Sequence, residues 1–159
     1  MLMEKELEAR IAGALGEIEA LSGAEIVGSR QPSASGTVKG EKDQTAKAVV
    51  AVAVGFRSHD DFSLTPVSIP VTVAITTRAE MDATGETHEK MLEAVAGLLS
   101  GWHRDGGAMT SALSSGKLFA GELRMTGGSG KQYDSARSAW VESVSFTLNS
   151  AVEDFGIAA

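Results

Sequence analysis

The chain has 159 residues, of which 43% are hydrophobic and 22% are charged, a composition typical of one folded domain rather than of a disordered chain. A formal net charge of −7 without any run of basic residues argues against a surface that grips DNA, so no sequence-specific nucleic-acid partner is expected. The lack of cysteine excludes disulfides, thiolate nucleophiles and Cys-ligated metals, and a charged N-terminus with no long apolar run predicts a cytoplasmic protein without a membrane partner.

The N-terminal part of the chain is predicted to hold a helix, a short strand and a long loop. Apolar residues recur at helical spacing over residues 3–21, and Gly23 is placed to end that helix. Residues 24–27 are a short strand candidate. The polar, Gly/Ser-rich segment 28–45 has no periodicity and predicts a long flexible loop.

Two segments then alternate with the period of a strand. Residues 47–57 place large apolar side chains on one face and small ones on the other, and a face of small side chains lets a helix or a second sheet approach closely. This strand is therefore predicted at the centre of the sheet. Residues 67–76 alternate as well, but Pro70 lacks a ladder donor, so their strand is predicted to be an edge, or to turn the proline nitrogen away from any neighbour. An edge is a place where another subunit can attach.

The second half of the chain predicts a helix and a hairpin. Thr87 is the predicted N-cap of the helix, and its apolar stripe consists of Met91, Leu92, Val95, Leu98, Leu99 and Trp102. Residues 118–125 and 139–148 predict two strands joined by a long, glycine-rich tip, and residues 150–159 a tail. The order α-β-β-β-α-β-β indicates a single α+β domain over residues 1–159, a two-layer domain with a mostly antiparallel sheet and helices packed on one face.

No motif for a metal, a cofactor or catalysis is complete. The glycine-rich segment before Lys131 departs from a phosphate-binding loop because Met125 stands where that motif needs its first glycine. The helix that begins near His88 resembles a zinc-protease helix only at its start, since Leu92 occupies the place of the second histidine. We therefore expect no metal, no cofactor and no catalytic residue.

The three histidines nevertheless leave an alternative open. A small-ligand-binding or hydrolytic α+β domain would hold His59, His88 or His103 in a deep polar cleft, within hydrogen-bond reach of a carboxylate. Trp102 and Trp140 lie in phase with apolar stripes, and we expect them to pack in the core.

Three features of the chain together form a pattern. They are an N-terminal helix, the strand-turn-helix PVSIPVTVAITTRAEMDATGETHEKMLEAVAGLL with a histidine in the first helical turn, and the closing strand RSAWVESVSFTLNS, which begins with Trp. In this pattern the chain resembles the tail-terminator and tail-completion (minor tail) proteins of long-tailed bacteriophages. The resemblance covers most of the chain, and the loop 28–45 has no counterpart in it.

The resemblance implies a structural assembly protein of a phage or prophage tail, not an enzyme. Its subunits would form a closed ring, a hexamer, that ends or completes the tail tube and contacts the tail tube protein and the head connector protein. It would lie in the bacterial host cytoplasm during assembly and then in the virion tail. Closed rings need contacts between different patches of one subunit. The candidate interface residues are Phe62, Leu64, Pro70, Lys131 and Tyr133. A small dimeric adaptor with one self-complementary patch is a further possibility.

Overall fold

The computed structural model of the chain describes residues 3–29, 47–56, 58–59, 66–101 and 118–152. These residues form two α-helices and seven strands. In chain order the elements are α1 (Met3–Gly16), β1 (Ala24–Gly28), β2 (Ala48–Val54), β3 (Ser58–His59), β4 (Pro66–Arg78), α2 (Glu86–Gly101), β5 (Leu118–Gly128), β6 (Gln132–Asp134) and β7 (Ala139–Val152). The predicted order α-β-β-β-α-β-β is confirmed, with β3 and β6 as additional short strands.

The strands form one seven-stranded sheet in the order β1-β2-β4-β7-β5. The short strands β3 and β6 pair with β4 and β7, respectively. Only the β1–β2 pair is parallel among the described strands, and the remaining pairs are antiparallel. The prediction of a mostly antiparallel α+β domain is therefore confirmed.

The core lies between one face of this sheet and the two helices. Val52, Val73 and Val144 are neighbours across β2, β4 and β7, and all three are buried. Both helices add fully buried side chains to the same cluster: Leu7, Ile11 and Leu15 from α1, and Met91, Val95 and Leu99 from α2. The alternation read in the sequence thus separates a covered face from an open one, as expected for a two-layer domain.

The predicted places of β2 and β4 in the sheet are wrong. The strand β4 is the middle one, with β2 on one side and β7 on the other, and the edges among the described strands are β1 and β5. Pro70 is accommodated because the β2 ladder ends beside it: the Gly55 N–H donates to the Pro70 carbonyl at 2.8 Å, and β2 stops at Val54. The missing N–H therefore coincides with the end of β2, and β3 resumes the pairing at Ser58.

The small side chains of β2 do not receive a helix in the described part of the chain. Ala51 and Ala53 lie on the open face of the sheet, while α1 packs over the large residues on the other face. The expectation that this small-residue face would place β2 at the centre therefore fails, because the larger valines provide the apolar area that the helix buries.

Three element boundaries also differ from the predictions. The first helix ends at Gly16, so Gly23 does not end it as predicted; a short 3-10 turn at Glu19–Leu21 follows, and Gly23, with a positive φ of 86°, lies between that turn and β1. The prediction of a long, glycine-rich loop between the last two strands is wrong. The strand β5 runs to Gly128, and β6 continues the pairing with β7 up to a turn after Asp134. The strand β7 extends to Val152, into the predicted tail, because its end pairs with the beginnings of β4 and β5.

Several predictions fall outside the described residues. They concern nearly all of the loop 28–45, the interface residues Phe62 and Leu64, the residues Trp102 and His103, the side chain of His59, and the tail after Val152. Among the described residues, none of the helices has the length and apolar character needed to cross a membrane.

Candidate functional site

The first turn of α2 is held by the side chain of Asp82. Its two carboxylate oxygens accept hydrogen bonds from the backbone N–H groups of Thr87 at 3.2 Å and of His88 at 2.8 Å. These are N–H groups that a helix leaves without an internal partner, and a carboxylate at this end also interacts favourably with the helix dipole. The prediction that Thr87 is the N-cap is therefore wrong. Thr87 lies inside the first turn, and the side chain of Asp82 caps the helix from the preceding turn.

His88 joins the helix to the two central strands. Its Nδ1 lies 2.8 Å from the Thr77 hydroxyl on β4, and its Nε2 lies 3.1 Å from Oε1 of Glu142 on β7. An ionised carboxylate only accepts, so a bond to ionised Glu142 needs the proton of the ring on Nε2, and a neutral ring of that tautomer accepts from the Thr77 hydroxyl at Nδ1. One side chain therefore fixes the start of α2 to β4 and β7 at once.

Trp140 ties the hairpin to the same corner. Its indole N–H donates to the Asp82 carbonyl at 2.8 Å, so Asp82 binds the helix with its carboxylate and the hairpin with its backbone. The Lys131 ammonium lies 5.0 Å from the centre of the Trp140 ring and donates to Glu89 on α2 at 2.5 Å. Tyr133 meets Trp140 edge to face, with 5.3 Å between the ring centres. We call Lys131, Tyr133 and Trp140 the hairpin cluster.

The hairpin cluster presents an aromatic side chain to solvent. Tyr133 is 51% exposed, although its ring is held against Trp140. Met81, which directly precedes the Asp82 carbonyl bound by Trp140, is 56% exposed. The corner formed by the start of α2 and the hairpin thus carries two large apolar groups that the subunit itself does not cover. Such groups are enriched in protein–protein interfaces.

The chain of Thr77, His88 and Glu142 has the composition of a hydrolytic triad but not its accessibility. The enzyme alternative needs a histidine within hydrogen-bond reach of a carboxylate, and His88 meets that part of the requirement. The required cleft is missing at this place, because His88 is 0% exposed and the Thr77 hydroxyl, the only nucleophile in the chain of contacts, belongs to a residue that is 1% exposed. A nucleophile must reach a substrate carbonyl, so this arrangement serves to hold α2 in place.

A shallow cavity of about 290 Å³ lies on the open face of the sheet under the hairpin turn. Ala74, Val141 and Ser143 form its floor, and Arg137 and Asp134 stand at its margin, joined by an ion pair at 3.3 Å. Glu142, whose Oε1 contacts His88, also lines this cavity, whereas His88 itself is fully buried and is not among the lining residues. Within the described ranges, no group of three or more acidic, His or Cys side chains is arranged to hold a metal ion.

The structure brings together two of the five predicted interface residues. Lys131 and Tyr133 both contact Trp140, whereas Pro70 is exposed on the opposite face and pairs with Thr147, toward the other end of β7. Phe62 and Leu64 lie outside the described residues. Trp140 was expected in the core, and it is half-buried with its N–H satisfied.

Sequence reasoning missed Asp82 and Met81. An acidic residue a few positions before a helix is a recognisable cap signal. Thr87 was predicted as the cap instead, because it lies closer to the apolar stripe of the helix. No local pattern points to Met81, because its exposure depends on how the turn before α2 meets β7.

In sequence comparison the chain matches no protein-family model and no curated protein.

Proposed function

We propose that this chain is a structural assembly protein of a phage or prophage tail, whose subunits associate in a ring that ends or completes the tail tube and joins it to the head connector. The observation that carries the proposal is Tyr133, a half-exposed aromatic ring immobilised on a paired strand. The phage-tail context rests on the resemblance of the strand-turn-helix and the closing strand, and the geometry supports the contact with another protein.

An immobilised aromatic ring is well suited to binding a protein surface. Association costs the entropy of each side chain that becomes ordered, about 0.5–1.5 kcal/mol for a flexible one. Trp140 and the paired backbone of β6 already restrict Tyr133, so most of that cost falls on folding and not on binding. Tyrosine and tryptophan are also enriched among the residues that dominate binding energy. Tyr133 is accordingly our candidate for the centre of one contact.

The net charge of −7 agrees with a ring through which DNA passes. An acidic lining repels the phosphate backbone and so keeps the passing DNA from adhering. The hydrolytic alternative has less support, because the buried Thr77 and His88 cannot reach a substrate. The dimeric adaptor is distinguished from a ring by its symmetry: it needs one self-complementary patch, whereas a ring needs two different ones.

The proposal is tested by replacing Tyr133 and measuring the association of the purified protein by sedimentation velocity. Tyr133→Ala removes an anchor of a kind that contributes about 2 kcal/mol, so association should weaken about 30-fold. Gln132→Ala is the matched control, because Gln132 is an exposed residue of the same strand that points to the other face. The control should associate like the unmodified protein, and both variants should keep its far-UV circular dichroism. If Tyr133→Ala associates at the same concentrations as the control, the assignment of this contact is wrong.

A further inference from the structure

The sheet presents two different edges. Among the described strands, β1 pairs only with β2, and β5 pairs only with β7. From Arg124 to Gly128 every residue of β5 is exposed, including Met125 at 47%. The edge of a sheet offers unpaired N–H and C=O groups to another strand. Within the described part of the chain the two edges therefore provide two unlike patches.

The strand directions make these edges compatible with each other. The strand β1 runs parallel to β2, and each step from β2 to β4, β7 and β5 reverses the direction. As a result β5 runs opposite to β1. A second copy placed beside the first, in the same orientation, brings its β5 antiparallel to β1, and the antiparallel ladder is the more stable of the two kinds.

The side chains on the two edges also match face by face. Ile26 lies on the helix-covered face of β1, and Met125 lies on the same face of β5 because it pairs with the buried Phe146. Glu25 and Arg124 lie on the open face by alternation, and their charges are opposite. An antiparallel ladder between the two edges thus places apolar beside apolar on one face and acid beside base on the other.

The lengths of the two edges agree as well. The strand β1 has five residues, Ala24–Gly28, without a proline or an irregularity. The strand β5 has register shifts between Phe119 and Glu122 and between Met125 and Gly127, so its regular stretch is Glu122 to Met125. Such irregularities limit how far an edge can pair. A short ladder of four or five residues is what both edges allow.

We infer that the partner at these edges is a second copy of this chain, joined head to tail, with β1 of one subunit paired to β5 of the next. The inference rests on the proposed self-assembly and names its contact. Because the two surfaces are different, each added subunit leaves one β1 and one β5 edge for the next, and the series ends only when it closes into a ring. The pairing of β1 with β1 brings Glu25 of both copies onto one face, which like charges disfavour.

Disulfide trapping tests the contact, because the natural chain has no cysteine. We would make Glu25→Cys with Arg124→Cys in one chain, and Val27→Cys with Arg124→Cys in another, which covers the two registers that keep the faces matched. Directly opposite residues of an antiparallel pair have Cβ atoms about 4.5–5.5 Å apart, close enough for a disulfide with a small adjustment. Glu25→Cys with Ala53→Cys is the control, since Ala53 is exposed on the sheet interior and not at an edge.

Under mild oxidation at least one edge pair should give a ladder of dimers, trimers and larger species on a non-reducing gel. Each single-cysteine variant should stay monomeric on that gel, and a mixture of Glu25→Cys and Arg124→Cys chains, or of Val27→Cys and Arg124→Cys chains, should stop at dimers. Dimers from Arg124→Cys alone would show a two-fold β5 contact and overturn the inference. If the unmodified protein sediments as an oligomer but neither pair cross-links more than the control, the edge contact is wrong and the proposed assembly stands. If it sediments as a monomer and nothing cross-links, both are wrong.

Discussion

The substitution Asp82→Ala should destabilise the protein more than any other change in the turn before α2. It leaves the carbonyl bonded to Trp140 in place and removes only the carboxylate, which accepts from the N–H groups of Thr87 and His88. Loss of a helix cap costs about 1 kcal/mol, and a buried N–H without a partner costs about 1–3 kcal/mol. His88 is fully buried, so water cannot replace the lost acceptor at its N–H without opening the structure. We expect a total loss of about 2–3 kcal/mol.

Thermal unfolding followed by circular dichroism measures this loss. For a chain of this size 1 kcal/mol corresponds to about 2–4 °C, so Asp82→Ala should lower the melting temperature by about 5–10 °C. Asp82→Asn keeps one acceptor oxygen and should lose about half as much. Thr87→Ala is the decisive control: it should be nearly neutral if Asp82 is the cap and should cost about 1 kcal/mol if Thr87 is. A shift below 2 °C for Asp82→Ala, or a larger one for Thr87→Ala, would refute the assignment.

Three further substitutions test other parts of the structure by the same thermal measurement. His88→Leu removes the link to Thr77 and leaves the Glu142 carboxylate without its donor. We expect the free energy of unfolding to fall by about 3 kcal/mol or more. A melting temperature within 2 °C of the original would contradict the proposed role of His88. Gly85→Ala should cost about 1–2 kcal/mol, because Gly85 has a φ of 79° and an added Cβ would lie 2.7 Å from the amine of Lys131; an unchanged stability would exclude this strain. Leu99→Ala should cost about 2–5 kcal/mol, since Leu99 is fully buried in the core, and a loss below 1 kcal/mol would mean that α2 does not pack there.

The fold class could be predicted because it depends on local periodicity. Alternation over β2 and β4 and the helical stripe of α2 are read directly from neighbouring residues, and the buried sets agree: Val50, Ile75 and Leu99 all lie in the core. The order of strands in the sheet depends instead on pairings between distant segments. Pro70 illustrates the difference: the missing N–H was recognised, but only the structure places it where β2 ends.

The candidate site could be predicted only in part for the same reason. Tyr133 is an aromatic residue in a polar segment, which suggests an interface, and the structure places it in the hairpin cluster together with the candidate Lys131. The contacts that fix them come from elsewhere in the chain. Trp140 lies opposite Tyr133 on the next strand, and it donates to Asp82, 58 residues earlier. No local pattern contains such a pairing.

The most direct test of the proposed assembly is electron microscopy of the purified, unmodified protein together with its mass from light scattering over a concentration series. The account predicts closed rings with a central opening and a single mass that is a whole multiple of the 16.5 kDa subunit. A monomer at every concentration, or a dimer without an opening, would contradict it.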